Sequence, residues 1–130
     1  MSERISLEVP ATLSALSTVR MVLGGLGARL DFSLEDLDDL FLATDRLLEA
    51  ALDAERLESL RVEMAVDGVT LTVVAGSFRT EALRDQVSVT PGGCIDLCTL
   101  LRRLMDDVVV QVEEDGFSVV MVKHGPDPGA

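Results

Sequence analysis

Two thiols, one imidazole, a run of carboxylates and a scatter of guanidinium groups are the side chains in this sequence that could take part in chemistry. Cys94 and Cys98 stand four residues apart, which is neither the C-x-x-C spacing of a redox pair nor half of a zinc ribbon. His124 is the single imidazole and lies far along the chain from both. No metal site is therefore expected from these groups, and the thiols read as small core or surface residues. Neither thiol has a base near it in the sequence, and His124 has no nearby nucleophile, so the pairing that covalent catalysis requires is missing. The carboxylates cluster. Glu35, Asp36, Asp38, Asp39, Asp45, Glu49 and Asp53 would share the outer face of one helix, and a charge run like this reads as a solvated face.

Hydropathy periods give the elements that must position these groups. ISLEVP alternates Ile5, Leu7 and Val9 against polar neighbours, a half-buried strand ended by Pro10. From Thr12, a candidate N-cap, Leu16, Val19, Leu23, Leu26 and Leu30 follow helical spacing, and Gly24, Gly25 and Gly27 in that helix are expected to permit close packing. Ser33, with Glu35 and Asp36 after it, caps a second helix whose inward face is Leu37, Leu40, Phe41, Leu47, Leu48, Ala51 and Leu52. LRVEMAV and VTLTVVA then flank Asp67-Gly68, and DVVVQVE and FSVVMVK flank Asp115-Gly116, which predicts two hairpins with type I′ turns. Between the hairpins, residues 76–93 show no clean period and read as a long loop with at most one helical turn. A third helix is expected from Cys94 or Ile95 to Met105, and a disordered tail from Gly125. The order strand, helix, helix, hairpin, loop, helix, hairpin predicts one α+β domain over residues 1–124. It is a two-layer sandwich with a mostly antiparallel, mixed sheet and the helices on one face.

Composition narrows the partners. The chain has 130 residues, 48% of them apolar, enough for a core of its own. Twenty-three acidic residues against eleven basic ones give a formal charge of −12, which repels a phosphate backbone, so direct nucleic-acid binding is not expected. Arg20 and Arg29 interrupt the richest apolar stretch well short of the roughly 18 residues a membrane span needs. MSERISLEVP lacks the features of a signal peptide, so a cytoplasmic location is the expectation.

This order of elements, with ISLEVPATLSALSTVRMVL, FSLEDLDDLFLATDRLLEAAL and above all LLRRLMDDVVVQVEEDGFSVVMVKH, resembles the small anti-sigma serine kinases of the GHKL (Bergerat-fold) ATPases over most of residues 4–124. In that family the second helix carries a catalytic glutamate and, four residues on, a magnesium-binding asparagine. The resemblance puts Arg46 and Ala50 there, and a guanidinium cannot act as a base nor a methyl group ligate a cation. Sliding the register by one would substitute Asp45 and Glu49, at the expense of turning the apolar stripe out of phase. The family's D-x-G-x-G loop corresponds to VVAGSF, with Val73 or Val74 in the acidic place and Gly76 beside them. Ile95 and Leu97 occupy the places of the two glycines that approach the phosphates, although Gly92 and Gly93 lie just upstream.

What the resemblance implies is a regulator without catalytic residues or cofactor that binds a sigma factor or an anti-sigma antagonist as a homodimer, with Arg20 and Arg29 as candidate contacts. Two alternatives stand beside it. One is an ATP-dependent serine kinase that holds magnesium through Asp45, Glu49 or Asp53. The other is a small-molecule module using the emptied pocket between the second helix and residues 76–93.

Overall fold

The computed structural model describes residues 2–88 and 97–126. Alternating side chains over the first ten residues form β1 (Ser2–Pro10), and Thr12 then caps a short 3-10 turn, Leu13–Ala15, with its hydroxyl accepting from the Ala15 N–H at 3.3 Å. The first α-helix therefore begins later than its cap residue suggested, as α1 (Leu16–Arg29). It ends in a Schellman motif: Phe32 N–H donates to the Gly27 carbonyl at 3.0 Å and Asp31 N–H to that of Ala28 at 3.2 Å. Asp31 sits at φ 57°, the one non-glycine at positive φ among the described residues. Asp31→Gly is expected to raise stability by about 0.5–1 kcal/mol by relieving that conformation. A denaturant midpoint left unchanged or lowered would show that the aspartate side chain compensates.

Gly27 and Gly24 do permit close packing, as expected. A Cβ on Gly27 would run into Leu37 and one on Gly24 would lie 3.3 Å from the Phe41 ring. Gly25 faces open space, so packing does not explain it. Ser33 Oγ accepts from the Asp36 N–H at 3.0 Å and starts α2 (Leu34–Ala54). Leu40, Ala43, Leu47, Leu48 and Ala51 of α2 are fully buried, whereas Leu37, Phe41 and Leu52 sit only half-buried at its margins.

The sheet is wholly antiparallel, which corrects the expected mixed sheet. Its order is β1-β2-β3-β5-β4, with β2 (Ser59–Asp67), β3 (Thr70–Phe78), β4 (Asp107–Glu113) and β5 (Gly116–His124). Leu60, Val62 and Met64 of β2, Leu71, Val73 and Ala75 of β3, and Val119 and Met121 of β5 form the buried face under α1 and α2.

Both turns differ from the expected pairing. Asp67 pairs with Thr70, so Gly68 and Val69 are the turn residues, with positive φ only at Gly68 (62°), the pattern of a type II′ turn. Glu113 pairs with Gly116, leaving Glu114 and Asp115 in the second turn, neither at positive φ. Gly116 is there for another reason: a Cβ on it would penetrate the Phe78 carbonyl oxygen.

Part of the anticipated loop is helix α3 (Glu81–Val87), pinned by buried Leu83 and Val87. Glu55 supplies its cap, accepting from the Thr80 N–H at 2.6 Å, from the Thr80 hydroxyl and from the Arg79 N–H. The third expected helix is α4 (Leu97–Leu104). Gly92, Gly93, Cys94 and Ile95 lie outside the described residues, as does 127–130 of the expected tail. Gly125 belongs to the folded domain, because its N–H donates to the Val69 carbonyl at 2.7 Å.

Candidate functional site

The elements α2, α3 and α4 border an open cleft of about 540 Å³ lined by Arg46, Glu49, Ala50, Asp53, Leu97 and Leu100. Helical spacing explains the first four, since residues 46, 49, 50 and 53 fall on one side of α2, opposite the face buried against the sheet. The cleft thus brings together Arg46, Ala50 and Leu97, the residues that the resemblance aligns with base, metal ligand and phosphate glycine.

Asp45 is elsewhere. Its carboxylate takes an ion pair from Arg20 of α1, so the acidic trio of the sequence is split, with only Glu49 and Asp53 in the cleft. Among the described residues no three His, Cys, Asp or Glu gather as a metal-ligand set. On β3 the inward positions are Leu71, Val73 and Ala75, all aliphatic and buried, while Val74 faces the other side of the sheet. None of these inward side chains is a carboxylate that could accept from an adenine amino group. Gly76 packs against β5, where an added Cβ would lie 3.0 Å from Ser118 Cα, so sheet packing accounts for that glycine. Ile95 lies outside the described residues. Of the described residues that the resemblance aligns, none offers what magnesium-ATP would ask of it: Arg46 cannot take a proton, Ala50 offers no oxygen, and Leu97 carries a bulky side chain.

A second hollow, of about 570 Å³, lies over the outer face of β1–β3 near Arg4, Glu63, Ala65 and Val74. It is the roomier of the two, and of the candidate site residues singled out by sequence it holds only Val74.

Arg20 and Arg29 are both on α1 and both already paired. Arg20 lies 5.3 Å from the centre of the Phe41 ring besides holding Asp45. Arg29 makes a two-pronged contact with Glu3 of β1 at 3.1 and 2.5 Å. That hydrogen-bonded guanidinium holds the Glu3 carboxyl below the usual glutamate value and is itself raised in turn. Between the two arginines α1 exposes Met21 (76%) and open-sided Gly25, and the preceding turn exposes Leu13 (68%). Leu13, Ser17, Met21 and Gly25 follow one another every four residues, an uncharged stripe on a protein of charge −12.

One group escaped sequence reasoning. Lys123, on the inward face of β5, is 6% exposed and donates to the Leu104 carbonyl at 2.6 Å, with Asp39 at 3.7 Å and Asp36 at 3.8 Å. The period-two pattern of FSVVMVK already put Lys123 in phase with Phe117, Val119 and Met121, which was the available signal.

No protein-family model and no curated protein matches the chain in sequence. Among solved structures, that of the RsbU and RsbW domains of a Mycobacterium tuberculosis protein is similar, with a TM-score of 0.67 at 16% identity. The likeness covers 96% of this chain and 33% of that one, so this chain spans about a third of the other's length. The shared fold is α+β, with a five-stranded antiparallel sheet and helices packed against it.

Proposed function

We propose that this chain is a regulatory domain that binds a protein partner, a sigma factor or an anti-sigma antagonist, and that it does so without ATP or magnesium. The observation that carries this reading is the cleft in which Arg46, Ala50 and Leu97 meet, because each lacks what nucleotide chemistry would ask of its position. The sequence resemblance to the anti-sigma serine kinases, and the fold held in common with the RsbU and RsbW domain structure, support a role in partner binding. The α1 stripe with Leu13 and Met21, flanked by Arg20, is the surface best suited to it, since apolar groups exposed together mark interaction sites. A homodimer and a cytoplasmic setting belong to the same proposal.

Calorimetry with magnesium-ATP should show no saturable heat, and clear binding at micromolar levels would sink the reading. Arg20→Glu is expected to weaken binding to the sigma factor or antagonist captured from the native host by about tenfold or more. The fold should survive, because the exposed pair it breaks contributes at most about 1 kcal/mol. A variant that binds as wild type would remove α1 from the interface. A second reading, a small-molecule module, is favoured by the openness of the cleft and by Arg46 beside Leu97 and Leu100. A ligand found between α2 and α4 would establish it.

A further inference from the structure

We infer that the free edge of β4 is a docking site for an extended, basic segment of another protein, which adds to the sheet as a sixth strand. The sheet ends at β4 on one side and β1 on the other. Glu113 and Gly116 close a two-residue hairpin, so they exchange both backbone bonds, as does every second pair behind them: Gln111 with Ser118, Val109 with Val120, Asp107 with Val122. The N–H and C=O groups of Val108, Val110 and Val112 therefore point away from the sheet. The Asp107 carboxylate occupies the N–H of Val108 at 3.0 Å, which leaves Val110 and Val112 as the open rungs among the described residues.

Free edges are usually blunted by lysine, proline or mixed charge, and β1 follows that rule with Glu3, Arg4, Glu8 and a terminal Pro10. The other edge does not. DVVVQVE has neither a base nor a proline, and Val109 (47%) and Val112 (62%) are exposed on its two faces. Its charges all have one sign: Asp106 and Asp107 at one end, Glu113, Glu114 and Asp115 at the other. Glu113 accepts from Ser118 and remains exposed.

That arrangement selects the occupant. If a second copy paired with β4 in antiparallel register about Val110, Asp107 of each chain would oppose Glu113 of the other, and like charges directly opposite destabilise a ladder. A strand with Lys or Arg at both ends and β-branched residues between them meets attraction at the same two places, and its backbone completes the open rungs. The edge thus discourages self-pairing while remaining open to a basic partner.

The test titrates the full, 15N-labelled chain with the capped peptide Lys-Val-Thr-Val-Val-Val-Lys and with its twin carrying Glu at both ends. Saturable shifts are expected at the amides of residues 108–113, with the Glu-ended twin at least about tenfold weaker. Val110→Pro removes only an outward N–H and so no bond within the sheet; it should fold by circular dichroism and lose the peptide. Should that variant not fold, Asp107→Lys with Glu113→Lys is expected to reverse the preference between the two peptides. Equal affinities, no saturable binding, shifts confined to other elements, or a folded Val110→Pro that still binds would each overturn the inference. So would a dimer in sedimentation that Val110→Pro dissolves, since self-pairing would then own the edge. Failure here leaves the α1 reading standing, because Arg20→Glu does not touch β4.

Discussion

Lys123→Ala should lower stability by about 2–3 kcal/mol, seen as a reduced denaturant midpoint at unchanged slope. Lys123 joins three elements at one ammonium: its stem comes from β5, it donates to the Leu104 carbonyl in the last turn of α4, and Asp36 and Asp39 of α2 stand beyond hydrogen-bond reach but within ion-pair distance. Carbonyls at a helix C-terminus lack partners within the helix and favour a cation, so the bond to Leu104 satisfies a group that would otherwise need water. Desolvation of the amine opposes this. Fully buried pairs cost about 3–5 kcal/mol to break, but the side chains of Asp36 and Asp39 remain 34% and 31% exposed, and water screens what they lose. The expected figure is therefore the lower one. Lys123→Met separates charge from packing, because it keeps most of the aliphatic stem. Stability of the methionine variant equal to wild type would show the charge to be dispensable and would refute this account.

Gly116→Ala is expected to cost about 3 kcal/mol or more, whereas Gly68→Asn should cost no more than about 1 kcal/mol. Both glycines follow an aspartate at a hairpin, and turn chemistry alone would rank them together. Their surroundings differ. Nothing lies within 4 Å of a Cβ on Gly68, whose requirement is a positive φ that asparagine tolerates. A Cβ on Gly116 meets the backbone of Phe78, where β3 and β5 come together past an irregularity between Ala75 and Phe78. Backbone on both sides cannot give way as a side chain can. Thermal unfolding of the two variants decides the matter, and equal losses would mean that turn geometry governs both.

Much of the scaffold was legible because it follows from periodicity and caps. Ser33 does cap α2, the five strands are those that alternation marked, and the α+β sandwich is the one expected. Strand partners on the far side of a loop leave no local trace, so the sheet's purely antiparallel character needed the structure. Turn positions were shifted by one residue for a related reason: Asp-Gly signals a hairpin, but pairing across the strands decides which two residues bend. Helix α3 was hard to see because Leu83 and Val87 are its only buried residues, too few for a period, and its cap comes from Glu55, more than twenty residues back.

The grouping of the candidate residues in space was legible only in part. Arg46, Ala50 and Leu97 line one cleft, but the alternative set of Asp45, Glu49 and Asp53 does not stay together. Arg20 draws Asp45 toward α1, a tertiary contact that no four-residue repeat can announce.

The position of β5 in the sheet also bears on how the protein is made. β5 follows β4 in the chain yet lies inside the sheet, between β3 and β4. A nascent chain that has reached Glu113 holds β1, β2 and β3 as one ribbon and β4 as an unattached segment, with two raw seams between them. Only the stretch from Gly116 to His124 can zip them shut, so the sheet closes cooperatively only once that stretch has been made, and a chain cut before Gly116 would be left as an open sheet for proteases to clear.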